Sequence, residues 1–195
     1  MNARLCAPPW GSLILTDEAK EAIDIIQQDV WKDASIRFYA LRDSKSKSGK
    51  SAPKGMQRFL NEILVERFRD KGWEGDAGYF FKEKTWIRIT FRHQMSLGSD
   101  IVDAIKVCKK QGMELAIILA ANRQTLNVVS PNDAAALVSF EKLQKEIMDL
   151  DGAIDIPLVI GELTPLTKAS NDINNELMKE RPRDVSIPYG HVNQL

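Results

Sequence analysis

The most regular pattern of hydrophobic and polar positions lies at residues 85–91, where apolar and polar side chains alternate. Side chains of a strand alternate between its two faces, so this pattern predicts a strand. One face carries Ile87, Ile89 and Phe91, and the other carries Trp86, Arg88, Thr90 and Arg92. The first face is predicted to be core, and the second to face a cleft or a partner. A mid-strand arginine in such a place either reaches solvent or binds an anion.

Other stretches have helical or strand-like spacing. Apolar residues three and four positions apart predict helices at 17–30, with Thr16 or Asp17 as N-cap, and at 56–68, 99–110 and 139–150. Runs of β-branched, aromatic and other apolar residues predict strands at 36–41, 79–81, 114–119, 125–129 and 156–160. An irregular arm is expected over the first 12 residues, and a weak helix followed by a loose tail is expected from residue 164 onward. This order predicts a mixed α/β fold with helices on both faces of a central sheet, and parallel pairing of strands 85–91 and 114–119.

Composition sets the general class of protein. The chain has 195 residues, of which 44% are hydrophobic, and we expect a single domain at 1–163 followed by a polar extension at 164–195. Its formal net charge is zero, so any surface for nucleic acid must be local. Cys6 and Cys108 support neither a disulfide framework nor a zinc site, which indicates a reducing, cytoplasmic location. The pattern shows no signal peptide, and no apolar run approaches the roughly 20 residues of a membrane span.

A cationic loop is predicted at residues 43–55, with Lys45, Lys47, Lys50 and Lys54 among serines and glycines. Gly49, Lys50 and Ser51 follow a predicted strand and precede a helix, as in a phosphate-binding P-loop. The motif is half complete, because Ser44 stands at the place of its first glycine and Pro53 interrupts the helix start. A solvated loop, a P-loop and a loop that closes over a DNA backbone are the three interpretations.

Several segments together resemble a known family. They are residues 60–62 running to 71–73, the strand that ends at Phe91, residues 111–118, and residues 155–163. In their order and spacing, over residues 30–163, they are similar to the BglII/BstYI group of type II restriction endonucleases, and BamHI-type enzymes are similar over the same core. The resemblance implies the restriction-endonuclease-like PD-(D/E)XK fold, a homodimer on a short palindromic site in double-stranded DNA, and Mg²⁺-dependent hydrolysis of phosphodiester bonds.

The resemblance also marks where catalytic acids are expected. The family's acid falls at Arg88, the second strand position at Thr90, and the preceding aspartate near Tyr79, so all three positions depart from the pattern. Arginine cannot ligate Mg²⁺, and its charge opposes a cation at that place. Glu62, Asp76 and Glu83 are the candidate catalytic acids, and Asp76 and Glu83 are also the candidate metal ligands. Asp100 and Asp103 are further acids that could reach a relocated site.

Purely structural roles are also possible for these acids. Asp76 suits a turn after Gly75, Glu83 suits a solvated hairpin, and Asp100 suits the first turn of a helix. Glu83 is also a candidate cross-strand partner for Arg88.

The same stretch supports DNA binding without cleavage, because guanidinium groups suit phosphate oxygens and amides suit base edges. The candidate DNA-binding residues are Lys45, Lys47, Lys50, Arg88, Arg92, His93, Asn122 and Arg123. Three functions are therefore open: a restriction-endonuclease-like protein that binds and hydrolyses duplex DNA, an inactive homologue that binds DNA or a partner, and an interaction subunit with no role on DNA.

Overall fold

The computed structural model of the protein describes residues 1–6, 15–49, 51, 53–76, 78–150 and 152–165. The helices of this part are α1 (Asp17–Gln27), α2 (Val30–Lys47), α3 (Gln57–Asp70), α4 (Leu97–Gln111), α5 (Arg123–Val129) and α6 (Phe140–Asp149). Its strands are β1 (Asn2–Cys6), β2 (Glu74–Asp76), β3 (Tyr79–Lys82), β4 (Thr85–Thr90), β5 (Leu115–Ala121) and β6 (Leu158–Thr164).

The strands form one mixed sheet in the order β1-β6-β5-β4-β3-β2. The central strands β4, β5 and β6 are parallel to one another, and the pairs at both edges are antiparallel. Helix α4 connects β4 to β5 and ends at Gly112, whose left-handed φ of 69° suits glycine. The predicted mixed α/β fold and the parallel pairing across this helix are confirmed.

Helices cover both faces of the sheet. Ile87 and Ile89 of β4 join the core formed with α1, α2 and α3. Trp86, on the other face of the same strand, joins a second core with α4 and α6. All six residues of β4 are buried, but Trp86 and Arg88 on this second face line a cavity of about 370 Å³ with Asp103 and Lys106 of α4.

Residues 36–41 were predicted as a strand and lie inside α2. Trp31, Ala34 and Phe38 are buried at helical spacing along this helix. Tertiary packing against α3 outweighs the strand propensity of the aromatic and β-branched residues. The predicted loop at 43–55 is correspondingly shorter, because residues 43–47 are the last turn of α2.

Residues 125–129 were also predicted as a strand and form α5. The side chain of Asn122 begins this helix by accepting a hydrogen bond from the backbone N–H of Thr125 at 2.8 Å. Leu126 and Val129, nearly one turn apart, are both buried. An apolar run this short fits a strand or a helix turn equally well, so its periodicity did not distinguish the two.

Both edge strands of the sheet were missed from the sequence. The first residues form β1, antiparallel to β6, where an irregular arm was expected. Asp76 was expected in a turn but ends β2, which pairs with β3. The remainder of the predicted arm at 7–12, Lys50, and the predicted tail from residue 166 onward lie outside the described residues.

Two further features concern membrane-spanning helices and the two cysteines. No helix in the described part of the chain is long and apolar enough to cross a membrane. Cys6 and Cys108 are both free thiols. Burial raises the pKa of the Cys108 thiol to about 11, so this cysteine stays protonated and is a poor nucleophile.

We expect Gly161→Ala to destabilise the fold by about 1–3 kcal/mol. Gly161 lies in β6 between β1 and β5, and a Cβ there would come within 2.5 Å of Leu119 Cδ2 and 2.8 Å of Leu5 Cδ2. Urea denaturation measures the change. The matched control is Gly98→Ala on the exposed surface of α4, where a Cβ meets open space and helix propensity adds up to about 0.5 kcal/mol. Equal stabilities of the two variants would contradict the packing of β1 described here.

Candidate functional site

A cleft with a volume of about 700 Å³ runs along the exposed side of α3. Its opposite wall is the loop at 130–133, and Asp76 at the end of β2 also lines it. The charged side chains around it are Lys54, Arg58, Arg69, Glu62, Glu66, Asp76 and Asp133. This size is typical of small-ligand pockets, so the cleft can enclose one nucleotide-sized group but not a duplex.

The position of α3 follows from its two faces. Leu60, Ile63 and Leu64 are buried in the core, so the polar residues between them are directed outward. The segment before α3 is tied to the end of α5, because the backbone N–H of Met56 donates to the carbonyl oxygen of Val129 at 2.7 Å. A Cβ at Gly55 would collide with the same carbonyl oxygen. This close backbone contact holds the two walls of the cleft together.

Each acid on the α3 side of the cleft has a basic partner. Glu62 pairs with Arg58 at 2.6 Å, and Asp76 lies 3.7 Å from Arg69. Glu66 accepts hydrogen bonds of 2.8 and 2.7 Å from the two terminal nitrogens of Arg37. Those hydrogen bonds lower the pKa of the Glu66 carboxyl from its ordinary value. The pairs are largely solvent-exposed and therefore contribute little to stability.

Two of the three candidate catalytic acids are brought to this cleft. Glu62 and Asp76 both line it, whereas Glu83 lies at the tip of the β3–β4 hairpin with a left-handed φ of 49°. Within the described residues, no group of three or more His, Cys, Asp and Glu side chains could hold a metal ion. The described part of the structure thus places two carboxylates along one cleft and forms no preformed metal cage.

A set of cations, all exposed except half-buried Lys45, lies at one end of the α2–α3 pair, next to the cleft. The two helices are antiparallel, since Asp33 near the start of α2 pairs with Arg67 near the end of α3. Further along α2, Phe38 meets Phe59 near the start of α3. The end of α2 and the start of α3 therefore lie at the same end of the pair. We call this set the basic end, and it consists of Lys45, Lys47, Lys54 and Arg58.

Arg88 is buried on the opposite face of the sheet and is already paired. Its Nε lies 3.2 Å from Asp100 Oδ1, and its Nη2 lies 3.5 Å from Asp103 Oδ2. Its guanidinium group also lies over the rings of Tyr79 and Trp86, at 5.4 and 5.7 Å. The cross-strand partner expected from the sequence, Glu83, is replaced by these two acids of α4. A metal-binding acid is expected at this place from the family resemblance, and an internal ion pair stands there instead.

Asp100 has a larger role than the helix-end charge expected from the sequence. Its side chain is fully buried, and its Oδ1 accepts a hydrogen bond from Arg92 Nη1 at 2.8 Å while also facing Arg88. Two guanidinium groups thus converge on one carboxylate. Their positive charge opposes a metal ion at Asp100.

The remaining predicted DNA-binding residues have protein partners. Asn122 donates to Glu162 Oε1 at 3.0 Å besides capping α5. Arg123 donates to the carbonyl oxygen of Ala134. Exposed His93 accepts from the backbone N–H of Met95 at 3.3 Å through Nδ1. Their contacts with DNA stay predictions.

Sequence reasoning missed Arg58, Arg69 and Asp133 as cleft residues. The polar stripe of α3 that contains both arginines was available as a signal, since the opposite stripe was correctly assigned to the core. Asp133 had no comparable signal, because it reaches the cleft through the fold of the loop after α5.

We expect Asp100→Asn to destabilise the protein by about 3 kcal/mol, because it removes the buried counter-charge of Arg88. Urea denaturation at pH 7 measures the loss. The matched control is Asp103→Asn, whose side chain is 39% exposed and whose loss is expected to stay below about 1 kcal/mol. If the two substitutions cost the same, Asp100 does not dominate the pairing of Arg88.

Comparisons with known proteins identify the fold. No protein-family model matches the sequence, and no curated protein matches it. Among solved structures, the restriction endonuclease BglII in complex with a DNA 16-mer matches with a TM-score of 0.52 at 15% identity, over 86% of this chain and 80% of that one. Free BglII matches with a TM-score of 0.49 at 15% identity, over 86% and 82%. The mixed six-stranded sheet flanked by helices is therefore the fold of the restriction endonuclease BglII.

Proposed function

We propose that this chain binds double-stranded DNA. The observation that carries the proposal is the basic end, where four cationic side chains of α2, α3 and their connection lie at the same end of the helix pair and two of them, Lys54 and Arg58, line the cleft. The fold adds support, because the BglII structure that shares it is a complex with a DNA 16-mer. Phosphate contacts of this kind supply most of the affinity of a protein for duplex DNA.

The positive charge that would attract DNA is confined to the basic end. The chain as a whole has no net charge, so it has no general attraction to a polyanion. Lys47 and Lys54 are exposed, and Arg58 has a side chain that is 76% exposed. Such side chains reach phosphates without desolvating the core. The proposal includes a homodimer on a short palindromic site, as the family resemblance implies.

We expect the double substitution Lys47→Glu with Lys54→Glu to weaken duplex binding by about tenfold or more at low salt, because two phosphate contacts become repulsive. A mobility-shift assay on mixed genomic fragments at 50 mM salt measures the affinity. The matched control replaces Lys145, an exposed lysine on α6 across the sheet, with glutamate and should bind nearly as wild type does.

The outcome that defeats the proposal is equally defined. If wild-type protein shifts no duplex at low salt, the chain is an interaction subunit without a role on DNA. If Lys145→Glu weakens binding as much as the double substitution, then general charge rather than the basic end controls affinity.

A second candidate function is hydrolysis of the bound phosphodiester, and it is favoured by the presence of Glu62 and Asp76 in one cleft. Carboxylate oxygens are the ligands Mg²⁺ prefers, and one or two of them complete a site with water and substrate phosphate. Both side chains are more than a third exposed, so they are accessible to a cation. These two residues would hold the ion, which would stabilise charge on the phosphate and activate water.

In that case Glu62→Gln and Asp76→Asn should each abolish Mg²⁺- or Mn²⁺-dependent cleavage of genomic DNA, since each removes a charged ligand. Incubation with either metal followed by electrophoresis provides the measurement. Glu83→Gln, at the hairpin tip, is the control and should cleave as wild type does. Wild-type protein that shifts DNA but cleaves none under either metal would identify a binding protein that does not hydrolyse its ligand.

A further inference from the structure

We infer that Asp100 is a positioning residue that holds Arg92 ready to contact a DNA phosphate, while Arg88 serves as the buried anchor of the same carboxylate. The inference rests on the proposed DNA binding and adds Arg92 as a contact beyond the four residues of the basic end. The inference gives Arg88 and Arg92 different roles, although the sequence presents the two arginines as equivalent.

The two arginines differ in exposure. The Arg88 side chain is only 10% exposed, and its guanidinium group is occupied by the rings of Tyr79 and Trp86 and by two acids of α4, so it presents little to an external ligand. The Arg92 side chain is 45% exposed, although its Nη1 is hydrogen-bonded to the same buried oxygen, Asp100 Oδ1. The other N–H groups of Arg92 remain for an external acceptor, since a guanidinium carries five.

The backbone at Arg92 is fixed as well as the side chain. Its carbonyl oxygen accepts from the N–H of Val138 at 2.9 Å, and its own N–H donates to Thr90 Oγ1 at 3.4 Å. An exposed arginine normally loses rotamer entropy when it binds a ligand. Arg92 has already lost part of that freedom on folding, which makes it a preorganised donor.

The neighbouring residue supports the same chemistry. His93 is exposed, and its Nδ1 accepts the backbone N–H of Met95, so in the neutral ring the proton is on Nε2. Arg92 and His93 therefore present N–H donors from adjacent positions. Donors of this type suit the non-bridging oxygens of a phosphodiester.

The hydrogen bonding of the buried Asp100 carboxylate is incomplete, which indicates that its role is to pair with the two arginines. Asp100 Oδ2 is buried and hydrogen-bonds to no atom of the described chain, and Arg88 Nε has no well-aligned acceptor. The carboxylate is thus satisfied through one oxygen, the oxygen shared by the two guanidinium groups. Loss of its charge would release Arg92 first, because Arg88 retains Asp103.

The test is a double-mutant cycle in duplex affinity. Arg92→Ala is expected to weaken binding about fivefold to tenfold and to reduce the slope of log affinity against log salt by about one. Asp100→Asn should weaken binding to a similar degree, and should add nothing in the Arg92→Ala background. General electrostatics predicts the opposite sign for Asp100→Asn, since removing a negative charge favours DNA. Circular dichroism confirms that each variant is folded at the assay temperature.

A second variant keeps the test decisive if Asp100→Asn fails to fold. Arg92→Lys keeps the charge but cannot hold the carboxylate and a phosphate through one planar fork. Positioning predicts a severalfold loss for this variant, and charge alone predicts none. Wild-type affinity in Arg92→Ala or Arg92→Lys, or a further loss from Asp100→Asn in the Arg92→Ala background, overturns the inference. If wild-type protein binds no duplex, the proposed function itself fails, which is a distinguishable result.

Discussion

Arg88 places a positive charge in the middle of a sheet that is covered on both faces. The free-energy cost of burying that charge requires the elements packed around it to supply a counter-charge. A buried guanidinium without a counter-charge is strongly destabilising. Asp100, fully buried on α4, supplies the counter-charge. The ion pair therefore fixes where α4 begins relative to β4, and with it the path of the chain through Arg92 and into the second core.

This constraint separates the functional surfaces of the molecule. Helices α3 and α4 pack on opposite faces of the sheet, so the cleft along α3 and the Arg88 ion pair belong to different sides. The acids that could act on a phosphate lie on the α3 side, at Glu62 and Asp76. On the α4 side, the place that the family resemblance reserves for an acid is occupied by a salt bridge. The proposed hydrolysis therefore concerns the α3 side, and the proposed contact of Arg92 concerns the α4 side.

The sequence predicted much of this architecture where long periodic patterns exist. Helices α3, α4 and α6 and the parallel strands β4 and β5 were found because each buries a regular apolar set. The short elements α5 and β1 were not predicted. Helix α5 depends on a cap at Asn122, and β1 depends on pairing with a strand more than 150 residues away. An apolar pattern records neither interaction. The prediction of an ion-pair partner for Arg88 was wrong for the same reason. Alternation along β4 showed a charge on one face but gave no information about the acid 12 positions later that meets it.

The ion pairs of the α3 cleft link the two proposed functions. A phosphate that binds Arg58 or Arg69 competes with Glu62 or Asp76 for the same guanidinium groups, because those carboxylates are their present partners. Once the arginine turns to the phosphate, the released carboxylate is left without its counter-charge near an anionic phosphate, which is electrostatically unfavourable. A divalent cation would neutralise it and would bind better with DNA present than without. Metal and DNA affinity are therefore expected to be linked in this cleft, because thermodynamic coupling is reciprocal. A protein that lacks this linkage would bind DNA through the basic end and Arg92 alone.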